Sequence, residues 1–388
     1  MKLKQTPDDF RVEELADVTP GAAGKFGLYR LVKTGWTTPD AVGVIRRRWQ
    51  LDARRVGYGG LKDRHAVTAQ YLTVYRGPQR DFAQDAIALT YLGQVDRPFD
   101  ADQIRGNRFA VTVRHLRPAE ADAAGQAAGE IGRLGVPNYF DDQRFGSVGR
   151  GNKFVGREMV GGRFEAALKL ALAEPYEHDR GPAKAEKLTL RELWGQWPEC
   201  KAKLPRGHAR SLVDYLVSHP TDFKGAVARL RPELGGLYLA AYQSFLWNRL
   251  LDRWLRTRFP ADALGAIDLT VGSFAVPLAA ADALAAEWAG LSLPLPSARL
   301  KVSSPDLDAV LADEGLTLST LKVPGLQKPY FSKGDRPACL RPSGTTWAAD
   351  DDDLNRGRRK LTLAFDLPRG CYATMIVKRL TSVRLQPA

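Results

Sequence analysis

One short stretch of the chain combines the groups that nucleophilic chemistry needs. The segment GYGGLKDRHAVTAQYLTV, residues 57–74, places Asp63 between Lys62 and Arg64, after a glycine-rich turn and before a predicted strand. Basic neighbours favour the ionised form of a carboxylate, which can then act as a nucleophile or a base. A solvated turn aspartate is the alternative, because charged clusters are usually exposed faces. The stretch supplies a catalytic candidate that the local sequence does not decide.

Two further stretches carry groups that suit base recognition. PNYFDDQRFG, residues 137–146, combines the amide of Asn138, aromatic rings that include Phe140, and a guanidinium group. Aromatic faces stack on unpaired bases and amides pair with base edges, although an aromatic core segment has the same composition. FDLPRGCYATMIVKRL, residues 365–380, leaves Tyr372 near a predicted strand-to-helix junction, where it could stack on a base or simply pack.

Metal and nucleotide sites are not indicated by the sequence. The three cysteines, Cys200, Cys339 and Cys371, form no C-x-x-C pair, and the five histidines form no H-x-x-x-H pair. The acidic run at 350–353 lacks the ligand spacing of a calcium loop, so a solvated loop is expected there. GGLKDR lacks the spacing of a phosphate-binding loop. We therefore expect no metal, no nucleotide cofactor and no other cofactor.

The elements that must position these groups follow from hydrophobic periodicity. Alternation of apolar and polar residues predicts strands, whereas an apolar spacing of three to four predicts helices. Thr38 is the expected cap of the first helix, with Pro39 at its first position. Strands are predicted over residues 10–15, 27–33, 70–75, 108–116 and 360–367, and helices over residues 38–51, 119–134, 164–174 and 237–259.

The order of these elements predicts the fold class and the domains. The predicted order is strand, strand, helix, strand, strand, helix. This order suits an α+β domain with mixed or antiparallel pairing better than a doubly wound sheet. From about residue 163 the pattern becomes mainly helical, and alternation returns near residue 360. We predict a sheet-rich domain made of residues 1–162 plus 327–388, interrupted by an inserted domain over residues 163–326.

The charge balance points to a polyanionic partner. Lys and Arg number 57 against 44 Asp and Glu, a net charge of +13 in 388 residues, which suits nucleic acid or a membrane surface. A merely basic surface is the alternative. Because the chain has no apolar signal core and no run of about 18 apolar residues, we expect a cytoplasmic protein that does not span a membrane. A monomer is expected, since no coiled-coil pattern is present.

Four motifs taken together resemble one enzyme family. TPDDFRVEE, GGLKDRHAVTAQY, PNYFDDQRFG and LPRGCYATMIVKRL occur in the order found in TruD-type tRNA pseudouridine synthases, and the resemblance spans about residues 4–380. It implies an α+β fold: a pseudouridine-synthase-type catalytic domain with a mixed sheet and an inserted, more helical α/β domain. It also implies an isomerase that converts a tRNA uridine to pseudouridine, in the family typically the uridine at position 13 in the D arm.

The resemblance assigns roles residue by residue. It makes Asp63 the catalytic nucleophile and places Lys62 at the lysine that precedes it in the family motif. Four further positions match substrate-binding or active-site residues of the family: Phe10, Asn138, Phe140 and Tyr372. The chain departs from the family pattern at Tyr372, where the family has a phenylalanine, and at Asp141 and Asp142, where a glycine is usual.

Alternatives of mechanism and function stay open at this level. Asp63 could attack C1′ or C6 of the uridine, or take a sugar proton to form a glycal, and the group that removes the C5 proton is not identified. A non-catalytic RNA-binding or chaperone protein of the same fold is the rival reading, and a pseudouridine synthase with another RNA target is a milder one. Arg249, Arg253 and Arg256 could grip tRNA or form a solvated helix face.

Overall fold

Two compact units make up the chain. The computed structural model describes residues 1–176, 179 and 181–385, without the side chain of Leu385. The first unit comprises Met1–Val136 and Leu340–Ser382, and the second comprises Pro137–Cys339 with the described residues from Val383 onward. The predicted domain boundaries at 162/163 and 326/327 both fall inside the second unit, and the predicted domain assignment stays a prediction.

The described strands include the five that alternation predicts, which correspond to β2, β3, β5, β8 and β16. In chain order the strands are β1 (Lys2–Leu3), β2 (Phe10–Ala16), β3 (Phe26–Thr34), β4 (Val56–Tyr58), β5 (Val67–Tyr75), β6 (Phe82–Gln84), β7 (Ile87–Val95), β8 (Ile104–Leu116), β9 (Val136–Pro137), β10 (Leu264–Leu269), β11 (Gly272–Pro277), β12 (Ser292–Pro294), β13 (Asp335–Pro337), β14 (Cys339–Leu340), β15 (Ser343–Asp351), β16 (Arg359–Pro368) and β17 (Arg384–Leu385).

The described helices include the predicted ones, and the predicted helix over 164–174 is divided into α4 and a π-helical turn, Lys169–Ala173. In chain order the helices are α1 (Thr38–Trp49), α2 (Pro118–Leu134), α3 (Val155–Val160), α4 (Phe164–Leu168), α5 (Gly181–Glu192), α6 (Trp197–Lys203), α7 (His208–Ser218), α8 (Phe223–Ala228), α9 (Pro232–Arg258), α10 (Asp282–Gly290), α11 (Pro305–Asp313) and α12 (Ala373–Thr381).

A mixed sheet forms the frame of the first unit. Its strand order is β15-β16-β8-β2-β5-β3-β7-β6, with β1 added to β8 and β4 added to β5. Strands β2 and β5 pair in parallel, whereas the pairs β2–β8, β3–β5, β3–β7 and β8–β16 are antiparallel. The predicted mixed α+β fold is confirmed. The parallel pair matters most for the site, because it places the start of β2 beside the start of β5.

Helix α1 covers one face of this sheet through an apolar core. Tyr29 and Leu31 of β3 pack with Val42 and Ile45 of α1. The predicted cap is wrong by one residue: Thr37 accepts the amide of Asp40 at 3.2 Å, and the buried Thr38 lies inside the helix. Because Thr38 does not cap the helix, its hydroxyl group is available to the loop that precedes β5.

The second unit is mainly helical. The long helix α9 contacts α3, α11 and β11, and its Trp247 and Tyr242 side chains are fully buried. A small antiparallel sheet of order β11-β10-β17 and a two-stranded pair β12–β13 complete the described part of the unit. This composition agrees with the predicted inserted, more helical α/β part of the fold. Among the described residues, no helix combines the length and apolarity that crossing a membrane requires.

A buried charge network ties the N-terminal segment to the sheet of the first unit. Arg114 of β8 donates to Asp9 at 2.8 Å and to Asp352 and Asp353 at 2.9 Å. Asp352 also accepts the amides of His115 and Leu354. Burial raises the pKa of Asp352, but these donors outweigh it and lower that pKa to about 2. The expectation of a solvated acidic loop is therefore wrong for Asp352, which is buried and ionised.

Removal of Arg114 tests how far the first unit depends on this network. Arg114→Met leaves the carboxylates of Asp9 and Asp352 buried without their counter-charge, so we expect a loss of about 3–5 kcal/mol in the free energy of unfolding, measured by urea denaturation. Arg117→Met removes an exposed pair with Glu120, which water screens, and should cost far less stability than Arg114→Met. Equal losses in the two variants would contradict a stabilising role for the buried network.

Candidate active site

The loop between β4 and β5 carries Asp63 and is held along its length by side chains of the first unit. The carbonyl of Gly60 accepts Gln70 Nε2 at 3.0 Å, and the amide of Lys62 donates to Thr38 Oγ1 at 3.0 Å. Thr38 in turn donates to Gln70 Oε1 at 2.8 Å. Helix α1 and strand β5 thus grip the loop on both sides of Leu61. A loop held in this way presents its side chains in a defined direction.

The carboxylate of Asp63 accepts two donors and stays charged although it is partly buried. Its Oδ2 binds the ammonium group of Lys4, and its Oδ1 accepts the amide of His65 at 2.9 Å. The side chain keeps 28% of its surface exposed. Burial raises the pKa of Asp63, but the hydrogen bonds from Lys4 and His65 outweigh burial and bring that pKa below its ordinary value. An ionised and accessible carboxylate is the form that nucleophilic or base chemistry requires.

Lys4 is a site residue that the sequence analysis missed. Its ammonium group lies 4.2 Å from the centroid of the Phe10 ring while it binds Asp63. Phe10 begins β2, is only 5% exposed, and packs edge-on against Phe109. The structure therefore brings together Asp63 and Phe10, two of the predicted site residues, with Lys4 between them. Lys4 lies two positions before the TPDDFRVEE motif, within the range of the family resemblance, but nothing in the local sequence assigned it a chemical role.

Lys62, the predicted substrate-binding neighbour of Asp63, has an internal partner. Its ammonium group donates to Glu14 Oε1 at 2.7 Å, and Glu14 Oε2 accepts the amide of Tyr71 at 3.0 Å. Glu14 is fully buried at the side chain, and Lys62 is nearly so. Glu14 of β2 thus binds both Lys62 of the loop and Tyr71 of β5, which links the three elements. Contact between Lys62 and a substrate stays a prediction.

Lys33 is the second site residue that was missed. Its ammonium group is completely buried and donates to the main-chain carbonyls of Trp36, Asp63 and Lys62 at 2.7, 2.9 and 3.3 Å. A signal for it was present in the sequence: alternation in β3 places Lys33 on the same face as the buried Tyr29 and Leu31. A lysine on an apolar strand face needs polar partners, and here two of them belong to the Asp63 loop.

Tyr372, the last predicted site residue of the first unit, stands where β16 leads into α12. It occupies the N-cap position of α12 and is partly exposed. Ala373 and Met375, in the first turn of α12, are buried. Tyr372 is therefore anchored by the chain on its C-terminal side and is itself only partly buried. Its stacking on a base stays a prediction.

Asn138 and Phe140 lie together in the second unit, where Arg336 joins them. Arg336 donates to the carbonyl of Asn138 at 2.8 Å and to its Oδ1 at 2.8 Å, and its guanidinium carbon lies 4.0 Å from the centroid of the Phe140 ring. Asn138 Nδ2 donates to the carbonyl of Pro337. The main chain of Phe140 exchanges two hydrogen bonds with the side chain of Asn248 in α9. These contacts shape the PNYF segment, and substrate binding by Asn138 and Phe140 stays a prediction.

The arginines proposed as a tRNA grip are paired with carboxylates inside the second unit. Each of the three reaches at least one acidic side chain, so its charge is compensated internally and offers less to a phosphate. This pairing favours the reading of a helix face over the grip. The acidic partners are Asp313 and Glu314 for Arg249, Asp306 for Arg253 and Asp252 for Arg256.

Comparison with known proteins gives a consistent result over the whole chain. The family model for tRNA pseudouridine synthase D (TruD) matches residues 1–380. A protein of Methanococcus maripaludis assigned as tRNA pseudouridine synthase D 1 is 30% identical over 99% of this chain and 100% of its own length. The tRNA pseudouridine synthase D of Aquifex aeolicus is 27% identical over 98% of both chains. A crystal structure assigned to TruD of Methanosarcina mazei superposes with a TM-score of 0.76 at 26% identity, covering 98% of this chain and 93% of that one.

The pKa of Asp63 tests the electrostatic reading of the site. Lys4→Met removes a hydrogen bond and a positive charge, while burial and the His65 amide remain, so we expect the pKa of Asp63 to rise. Titration of the ¹³C carboxyl resonance, assigned by its absence from Asp63→Asn, measures the change. Lys2→Met is the matched control, because Lys2 is exposed and donates to Asn355. A pKa that rises equally in both variants, or in neither, would contradict the role given to Lys4.

Proposed function

This chain belongs to the tRNA pseudouridine synthase D (TruD) family, and from that membership we propose that it isomerises the uridine at position 13 of the tRNA D arm with Asp63 as its nucleophile. Family membership by itself makes the protein a tRNA pseudouridine synthase, an isomerase. The target position and the role of Asp63 are the finer part of the proposal. A cytoplasmic location and a monomeric state stay predictions.

The observation that carries the proposal is the state of the Asp63 carboxylate. It is ionised, partly exposed, and attached to a loop whose main chain is bonded at Gly60, Lys62 and Asp63 itself. A nucleophile needs charge, access and a defined direction, and these three properties coincide at one side chain. A protein that only binds RNA gains nothing from a carboxylate held where it repels phosphate, so the arrangement favours the enzyme over the non-catalytic rival.

The chemistry fits a site of this kind. Isomerisation breaks the bond between ribose C1′ and uracil N1, joins C1′ to C5 of the rotated base, and releases the C5 proton while N1 gains a proton, so the composition of the uridine is conserved. The Asp63 carboxylate can attack C1′, attack C6, or take a sugar proton, and all three routes remain open. Each route requires the detached base to be retained during its rotation, which aromatic groups accomplish by stacking.

The substrate contacts are proposed in order of accessibility. Among the aromatic residues of the predicted substrate-binding set, Phe10 and Phe140 are buried and Tyr372 is partly exposed, so we propose that the Tyr372 ring stacks on the target base. The rings of Phe10 and Phe140 are largely buried, so in this proposal neither is the main stacking surface. Lys62 and Asn138 act mainly by holding their segments in place, given the partners of their polar groups.

The target base must leave its stack to reach Asp63. The positive charge of the chain helps to offset the free-energy cost of this extrusion. Extrusion of a base costs a few kcal/mol. A net charge of +13 attracts the RNA backbone independently of sequence and makes binding sensitive to salt. Substrate selection in this proposal therefore rests on RNA shape and on the unstacked base rather than on charge.

Tritium release tests the catalytic role of Asp63. With tRNA that carries [5-³H]uridine, the wild-type protein should release tritium to water, and Asp63→Asn should be slower by at least about 10³-fold, because a neutral amide is a poor nucleophile. The control is Asp52→Asn, which alters an exposed aspartate paired with Arg54 and should match the wild type. Tight tRNA binding without release by the wild type would support the non-catalytic rival.

The target position is tested with altered substrates. A tRNA transcript in which uridine 13 is replaced by cytidine should release no tritium, because no uridine then occupies the reactive position. A transcript with another D-arm uridine replaced should react at the normal rate. Full release from the first transcript would overturn the proposed position and direct the search to another uridine or another RNA.

A further inference from the structure

Lys33 is an unusual residue for the interior of a sheet. It lies on the core face of β3 with Tyr29 and Leu31, and none of its surface is exposed. Transfer of an ammonium group from water to such a place is unfavourable unless polar groups replace the lost hydration. In the described part of the chain, Lys33 forms no ion pair within 4.0 Å, so peptide carbonyls provide the compensation.

The three carbonyls that bind Lys33 belong to two segments that the site requires. Trp36 lies in the turn between β3 and α1, and Lys62 and Asp63 lie in the catalytic loop. Lys33 Nζ reaches them at 2.7, 3.3 and 2.9 Å. A charged ammonium group has three N–H donors, one for each of these acceptors. The count of donors equals the count of acceptors only while the lysine is protonated.

We infer that Lys33 is a positioning residue of this enzyme: its buried ammonium group holds the main chain of Lys62 and Asp63 and thereby orients the Asp63 carboxylate toward the substrate. The inference rests on the proposed function. Lys33 does not touch the substrate in this account. It acts through the main-chain carbonyl of Asp63, because the position of the main chain sets the position of the Asp63 carboxylate. A small displacement of a reacting group lowers the reaction rate by a large factor.

The three hydrogen bonds from Lys33 depend on pH, because they require the protonated form of its side chain. Burial lowers the pKa of Lys33 to about 8, with Asp63 opposing the decrease and Lys62 adding to it. Thr38 and Gln70, which bind the same loop from α1 and β5, carry no charge. A neutral amine has two N–H donors for three carbonyls and no charge beside Asp63. As pH rises through about 8, Lys33 therefore loses one of its three hydrogen bonds, and its positive charge no longer acts on Asp63.

Stability should change in the opposite direction to activity. In the unfolded chain a lysine has a pKa near 10.4, so between pH 8 and that value the unfolded state binds more protons at Lys33 than the folded state does. This group therefore makes the folded state more stable, not less, as pH rises through the interval. Turnover should therefore decline above pH 8 while the stability of the fold does not. A lysine that only stabilised the fold would not produce this combination.

The test follows kcat and KM for tritium release between pH 6.5 and 9.5. Wild-type kcat should fall with a midpoint near pH 8 while the thermal midpoint of unfolding does not. Lys33→Met should lower kcat at pH 7 by about ten- to hundredfold, leave KM within about twofold, and show no further fall above pH 8. Lys33→Arg, which keeps the charge, should retain more activity than Lys33→Met and lose the inflection. The exposed Lys25→Met is the matched control and should behave as the wild type.

The outcomes separate this inference from the proposed function. An active wild type whose kcat is flat from pH 7 to 9, or a folded Lys33→Met with wild-type kcat, would overturn the role of Lys33 and leave the enzyme assignment intact. A wild type that releases no tritium at any pH would overturn the proposed function instead. In that case the ¹³C carboxyl resonance of Asp63 still decides: an inflection near pH 8 that Lys33→Arg abolishes supports the contact, and its absence refutes it.

Discussion

The central constraint on this structure is that one carboxylate must remain charged while part of it is withdrawn from water. Burial of Asp63 works against its ionisation, and the Lys4 ammonium group and the His65 amide together more than compensate. The compensation depends on direction as well as charge, because each donor meets a different oxygen of the same carboxylate. An isolated surface aspartate would be ionised without any of this, but it would have no defined orientation toward a bound uridine.

The sheet explains how residues distant in sequence reach that carboxylate. Parallel pairing of β2 with β5 brings the N-terminal segment beside the Asp63 loop, and this allows Lys4 to cross a separation of 59 residues. Antiparallel pairing of β3 with β5 brings Lys33 beneath the same loop. The network around Arg114 then holds the segment that follows Lys4, since it binds Asp9. Packing, ion pairing and the proposed chemistry therefore depend on one another within the first unit.

The positive charges of the protein have three distinct roles. Many of its arginines and lysines form internal pairs, as Arg114 does in the first unit and Arg249 does in the second. Such residues stabilise the fold and cannot simply be counted as RNA contacts. The net excess of +13 still acts at long range on a polyanion, so attraction of RNA is a property of the whole surface. Arg336 illustrates a third situation, because its guanidinium group shapes the Asn138 segment by hydrogen bonds and by its contact with the Phe140 ring.

The sequence by itself determined five strands of the sheet, the predicted helices and the family, and it singled out Asp63 as a candidate, because periodicity and contiguous motifs are local properties of the chain. It did not determine which groups surround that carboxylate. Thr38 was expected to cap a helix and instead supports the loop, and Lys4 and Lys33 carried no local signal of their partners. Only the tertiary structure decided these contacts, since burial and distance between side chains arise after strands pair, and the pKa of Asp63 follows from both.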